Sequence, residues 1–171
     1  MNIRAATWQD APMISGIHAA AWRYSYRNLL PEDFLDHRLP ESRWRTSFHA
    51  LLESGQIEGL ILEEQSTAVG CCLFGRGRDA AYGDWGEIIS LYLLPDYMHR
   101  GYGREMLQIA LRALKADGYD CIYLWSIRGN DRADKFYRKM GFQPTGETIS
   151  YSMGGARLED ERYVFANLCE A

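Results

Sequence analysis

Apolar positions along the chain change spacing several times, and each change marks an element. Ile3 to Ala5 reads as a short strand. Thr7, with Asp10 three residues on, has the form of a helix N-cap, and apolar residues at helical spacing from Ala11 to Tyr26 predict the first helix. Pro31-Glu32-Asp33 opens a short second helix, since proline suits the first helical position. Pro40 and Glu41 predict the start of a third, running to about Glu53 and closed by Gly55. Ile57 to Glu63 and Ser66 to Gly75 read as two strands joined near Glu64 and Gln65. Arg76 to Asp84, rich in Gly, Arg, Asp and Ala, reads as an exposed loop.

The most informative stretch is Glu87 to Arg104. Glu87 to Leu94 is a short apolar run with β-branched and aromatic members, the pattern of a buried strand, and Pro95-Asp96 ends it. Arg100-Gly101-Tyr102-Gly103 follows, and then a helix with Met106, Leu107, Ala110, Leu111, Ala113 and Leu114 on one face. A strand, a glycine turn and a helix in that order make an anion site. Glycines let backbone N–H groups approach a ligand closely, and the helix N-terminus adds its positive dipole end. Phosphate is the natural guest. A dinucleotide fingerprint fails, because Met106 stands where its third glycine belongs, and the Gly-Lys-Ser/Thr of a Walker loop is missing. Further on, Cys121 to Ile127 reads as a strand and Asp131 to Met140 as a helix. Two terminal strands, Gln143 to Met153 and Glu161 to Asn167, are expected to pair across Gly154 and Gly155. The element order suits an α/β domain with a mixed sheet and helices on its faces.

The chain has 171 residues, 47% hydrophobic and 25% charged, which bounds it to one ordinary globular domain. A formal net charge of −4 argues against nucleic-acid binding. Met1-Asn-Ile-Arg-Ala-Ala lacks the apolar core of a signal peptide and no apolar stretch is long enough to span a bilayer, so a cytoplasmic protein without a membrane partner is expected. Cys71, Cys72, Cys121 and Cys169 show no framework of spacings, and His18, His37, His49 and His99 are scattered, so no metal site is expected. Adjacent Cys71 and Cys72 point to opposite faces if they lie in a strand.

Met98 to Gly103 resembles motif A of the GNAT superfamily of N-acetyltransferases, Q/R-x-x-G-x-G/A, with Met98 departing from the usual Gln or Arg. Asn130 to Phe142 is similar to a second signature of that superfamily, N-x-x-A-x-x-F-Y-x-x-x-G-F, with every named position filled. Together they span roughly the C-terminal half of the chain. The resemblance implies one GNAT-like domain over residues 1–171, with a mixed sheet splayed open beside motif A. It implies acetyl-CoA as cosubstrate, its pantetheine arm lying along Leu91, Tyr92 and Leu93. The pyrophosphate would rest on the turn of Met98, His99, Arg100, Gly101, Tyr102, Gly103 and Arg104, with Asn130 and Tyr137 also against the cofactor. The activity implied is direct transfer, in a ternary complex, of an acetyl group to a primary amine of a small molecule or peptide. The resemblance also allows a homodimer. A CoA-binding sensor or interaction module that keeps the fold without turnover is the alternative.

The chemistry needs a base, because a primary amine is almost wholly protonated at neutral pH and exposing its lone pair costs roughly 4 to 5 kcal/mol. Glu87 starts the motif-A strand fourteen residues before Gly101, the offset of the general base in the histone-acetyltransferase branch of the superfamily. Its plainer reading is a strand-end carboxylate that is solvated or caps a neighbouring loop. Tyr137 falls on the family's general-acid position, for protonating the departing thiolate; its plainer reading is a half-buried helix aromatic beside Phe136. Backbone N–H near Leu93 would meet the developing oxyanion. A covalent cysteine mechanism is disfavoured, since Cys71, Cys72 and Cys121 sit in apolar strand contexts. Trp22, Tyr24, Tyr26, Phe34, Tyr82, Trp85 and Tyr151, with Glu32, Asp33 and Asp84 interleaved, are candidates for building the acceptor pocket, and Trp22, Tyr24, Tyr82 and Trp85 among them for receiving an amine cation.

Overall fold

The apolar runs β2 (Ile57–Glu64) and β3 (Thr67–Arg76) pair as an antiparallel hairpin in the computed structural model, which describes residues 1–165. They sit within a seven-stranded sheet of order β1-β2-β3-β4-β5-β7-β6. Its other strands are β1 (Asn2–Ala5), β4 (Gly86–Leu93), β5 (Ile122–Ile127), β6 (Phe142–Met153) and β7 (Ala156–Phe165). Every pairing is antiparallel except that of β4 with β5, so the sheet is mixed. The helices are α1 (Ala11–Ser25), α2 (Glu32–His37), α3 (Arg45–Glu53), α4 (Tyr102–Ala116) and α5 (Asp131–Lys139).

Strand alternation sends neighbouring side chains to opposite faces, and the two faces carry different helices. Ile61, Cys71 and Leu73 pack with Ile14 and Ile17 of α1 and Phe48 of α3. Leu60, Leu62, Cys72 and Phe74 pack with Met106, Leu107 and Leu114 of α4, and Phe136 and Tyr137 of α5 join that side. Cys71 and Cys72 thus face opposite ways, and burial pushes both thiols up, Cys72 to about 12. A third cluster joins Tyr26, Leu30, Phe34 and Leu35 to Ile127, Leu158 and Tyr151, seating the β6–β7 hairpin on the α1–α2 region.

Two boundaries differ from the sequence expectation by more than a residue or two. The third helix begins at Arg45 rather than at Pro40. Residues 40–44 form turns instead, held by Ser15 of α1, whose hydroxyl donates to Glu41 O and accepts from Trp44 N–H. A tertiary contact has taken over the proline signal. β7 begins at Ala156 rather than at Glu161, because Gly154 and Gly155, both at positive φ, close a tight hairpin and let pairing start at once. Its expected end at Asn167 lies outside the described residues.

Before α1, the Thr7–Asp10 cap is present: Thr7 N–H donates to Asp10 Oδ2 at 2.8 Å. Arg4 of β1 also grips Asp10 through two N–H donors at 2.9 and 2.8 Å, and this guanidinium holds the carboxyl down at about 2. A carboxyl whose folded pKa lies below its unfolded value stabilises above that unfolded value, and the contribution is lost as pH falls through the folded one. Asp10→Asn is therefore expected to cost on the order of 1–2 kcal/mol at neutral pH, with the deficit shrinking between about pH 4 and pH 2. Urea unfolding of both proteins across that range measures it. A pH-independent gap would show that the carboxyl's charge plays no part.

Candidate active site

β4 and β5 run side by side, yet they pair at three positions only: Gly86 with Ile122, Glu87 with Tyr123 and Ile88 with Leu124. Beyond Ile88 the strands part. β4 bulges at that point, since Leu73 faces Ser90 while Phe74 faces Ile88, leaving Ile89 as an extra residue. A bulge bends and twists its strand, which turns β4 away from β5. Further along, Leu94 N–H donates to Val69 O of β3 at 2.8 Å. Hydrogen-bonding direction alternates along a ladder, so Leu91 and Leu93 turn their N–H groups away from β3 and into the gap.

The gap opens into a cavity of about 1260 Å³ with walls from both faces of the sheet. On the α4–α5 side it is lined by Met98, His99, Gly101, Gly103, Arg104, Lys135 and Lys139. Its waist is β4 itself with Tyr137, and on the α1 side it is walled by Trp22, Tyr26, Tyr151 and Asp160. The Ser90 hydroxyl, at the waist, is buried and without a hydrogen-bond partner among the described residues.

The glycine turn lies where the sequence places it. Gly101 caps α4 in the left-handed conformation at φ +86°, and His99 is left-handed too at φ +61°. A Cβ on Gly101 would meet nothing within 4 Å, so the backbone conformation rather than crowding calls for glycine there. The first N–H groups of α4 have no partner inside the helix and point out of its N-terminus. An unpaired strand edge, a left-handed turn at a helix start, basic residues beside it and an orphaned hydroxyl fit an extended cofactor with a phosphate end.

Leu91, Tyr92, Leu93, Met98, His99, Gly101, Gly103, Arg104, Asn130 and Tyr137 all line this cavity. Arg100 and Tyr102 do not. Tyr102 Oη donates to Glu64 at 2.6 Å and Arg100 lies 3.3 Å from the same carboxylate, so both turn toward the β2–β3 hairpin. At Met98 the cation comes from elsewhere: Arg132, in the first turn of α5, puts Nη1 3.1 Å from Met98 Sδ and donates from Nη2 to Ser25 Oγ at 2.6 Å. Asn130 is the N-cap of α5, accepting from Ala133 N–H at 3.3 Å.

Glu87 is buried, and its carboxylate is more engaged than a strand-end position suggests. Oε2 accepts from Arg78 N–H at 3.0 Å, from Arg78 Nε at 3.0 Å and from Tyr123 Oη at 3.2 Å. Oε1 accepts from Arg78 Nη2 at 2.7 Å. A carboxylate oxygen has two lone pairs, so Oε1 keeps one unspent. Tyr137 packs its ring against Phe136, Phe142 and Tyr163, and burial pushes its phenol above the ordinary tyrosine range.

Of the aromatics expected around the acceptor, Trp22, Tyr26 and Tyr151 line the cavity, and Trp22 Nε1 donates to Tyr92 Oη at 2.9 Å. Tyr24 is 52% exposed and lies against the Arg132 guanidinium. Tyr82 and Trp85 stack on the guanidinium of Arg162, 3.9 and 5.7 Å from their ring centroids, so a cation of this chain already occupies those faces. Sequence reasoning missed Arg78, Arg132 and Asp160. For Asp160 a weak signal existed, since it shares a face with Leu158, two residues back in the same strand.

The acetyltransferase (GNAT) family model matches residues 20–142. An uncharacterized N-acetyltransferase of Bacillus subtilis, YuaI, is 25% identical over 94% of this chain and 90% of its own length. Among solved structures, the PaiA N-acetyltransferase of Thermoplasma acidophilum in complex with coenzyme A superposes with a TM-score of 0.73 at 21% identity, over 95% of this chain and all of that one. YncA of Salmonella typhimurium, a putative acetyltransferase with its cofactor acetyl-CoA, superposes with a TM-score of 0.75 at 19% identity, over 100% of this chain and 95% of that one.

Proposed function

The chain belongs to the acetyltransferase (GNAT) family, and from that premise we propose that it moves an acetyl group from acetyl-CoA to a primary amine in a direct ternary complex, the whole chain acting as one domain. The observation that carries this reading is the unpaired edge of β4, with Leu91 and Leu93 N–H aimed into a cavity that begins at the Gly101 turn. Acetyl-CoA would supply the thioester. Its phosphates would be held by the N–H groups at the start of α4 and by Arg104 and Arg132. Glu87 takes a proton from the ammonium at Oε1, directly or through a water, leaving the nitrogen lone pair free to bond to the carbonyl carbon. The Leu93 N–H meets the negative charge that gathers on the carbonyl oxygen. As the carbon–sulfur bond breaks, Tyr137 gives its phenolic proton to the sulfur; the nitrogen sheds its remaining extra proton, directly or through water, to the phenolate, and Glu87 releases its proton to solvent.

A non-catalytic CoA-binding module is the second reading. One observation favours it: Arg78 and Tyr123 occupy three of the four lone pairs at Glu87 with four donors converging on the group, as in a structural ion pair.

Acetyl-CoA is expected to bind with an affinity that falls as salt rises, because its phosphate contacts are charge-assisted. Gly101→Ala, forced into the left-handed region at a cost of about 1 kcal/mol, is expected to weaken that binding further. Calorimetry reads both. Thiol release with a panel of primary amines then reads turnover. No binding of acetyl-CoA overturns the proposal, and binding without acetylation of any amine selects the module.

A further inference from the structure

Asp160 is the cavity's unpaired carboxylate. Among the described residues two carboxylates line the cavity, and Arg78 neutralises one of them, Glu87. Asp160 has no cation within ion-pair distance among the described residues, and its single hydrogen bond there is from Tyr151 Oη to Oδ1 at 3.1 Å. Burial raises its carboxyl pKa. The nearby cations are committed elsewhere: Arg128 to Glu159 and Glu161, Arg132 to Ser25 and Met98. Around it on the α1 side stand Trp22, Tyr26 and Tyr151; of the cavity's basic residues, His99, Arg104, Lys135 and Lys139 lie toward the α4–α5 side, Arg78 is paired with Glu87, and Arg132 reaches α1 at Ser25. A half-buried anion without a counter-charge is costly, and aromatic faces beside it suit an arriving cation.

We infer that Asp160 seats a cationic group of the acceptor, and that this group is carried in addition to the nitrogen that takes the acetyl. Asp160 faces Ile127 of β5, whereas Glu87 faces Tyr123, the partner of Val164. Four residues along β7 separate the two registers, about 13 Å at the usual strand rise. A reacting amine at Glu87 therefore does not touch Asp160. The acceptor class is an amine with a second ammonium or a guanidinium on an apolar stem. This identification rests on the acetyltransferase reading; the cation site itself does not.

The test uses octylamine, charged at pH 7, against 1-octanol, its uncharged counterpart, titrated into the full chain with and without CoA. Octylamine is expected to bind roughly tenfold tighter, the effect of about 1.4 kcal/mol of charge pairing. Asp160→Asn should bring the two within about twofold, and Asp160→Glu should restore the preference. For turnover, Asp160→Asn should raise KM for 1,8-diaminooctane roughly tenfold with kcat unchanged, while kcat/KM for octylamine stays as it was, because a monoamine held at Asp160 places no nitrogen at Glu87. Equal binding of amine and alcohol by the wild type, or a preference that survives Asp160→Asn, overturns the cation site. A wild type that acetylates octylamine as efficiently as the diamine overturns the acceptor class. Failure of CoA to bind would instead strike the acetyltransferase reading, and the titration without CoA would still decide the role of Asp160.

Discussion

Tyr137→Phe is expected to lower kcat about 10²-fold while leaving acetyl-CoA affinity and melting temperature close to wild type, the lower range for a lost proton donor. The substitution keeps what holds Tyr137 in place, the ring contacts with Phe136, Phe142 and Tyr163, and removes only the hydroxyl. That hydroxyl donates to no other group among the described residues, so its loss strands no partner. Burial keeps the phenol protonated well above neutral pH, so an acid is on hand throughout the working range. It acts only as the carbon–sulfur bond breaks, which is why ground-state binding should be spared. Calorimetry with acetyl-CoA and single-turnover rates separate the two quantities. If affinity falls in step with activity, Tyr137 is a binding residue and the proton comes from elsewhere.

What was legible in the sequence was local. The strand, turn and helix around Gly101, the amphipathic α4 and the run from Asn130 to Phe142 each carry their pattern within some fifteen residues, and each lies where that pattern puts it. Faces were legible too: alternation sent Cys71 and Cys72 apart and buried both. Partners were not. Arg78 lies in a stretch that reads as an exposed loop, yet its guanidinium closes over Glu87. Arg132 reaches Met98 from a different helix, and Arg162 covers Tyr82 and Trp85 from a different strand. Long arginine side chains pick their contacts after the sheet has formed, so sequence spacing carries no trace of the choice. The bulge at Ile89 is equally silent in the apolar run Ile88-Ile89, although it opens the gap that the site occupies.

Arg78→Met is expected to destabilise the protein by about 3 kcal/mol, the low end for removing one partner of a buried pair. The low end applies because the Arg78 side chain is 53% exposed, whereas that of Glu87 is only 2% exposed, so water already shares part of the pair's solvation. The variant leaves a buried carboxylate with the residue-78 N–H and the Tyr123 hydroxyl as donors. Desolvation without a counter-charge raises a carboxyl pKa. A group whose folded pKa is raised in this way penalises the fold above that pKa and ceases to do so below the unfolded value near ~4.3. The deficit of Arg78→Met relative to the wild type should therefore shrink on acidification. Combining it with Glu87→Gln should return much of the loss at neutral pH, because no buried charge remains. Glu87→Gln alone reads the chemistry: if Oε1 takes the amine's proton, kcat falls and the loss shrinks at high pH, where free amine is abundant. Wild-type turnover across the pH range in a folded Glu87→Gln protein would assign Glu87 to holding Arg78 and the loop that carries it, and would leave the amine's proton to water.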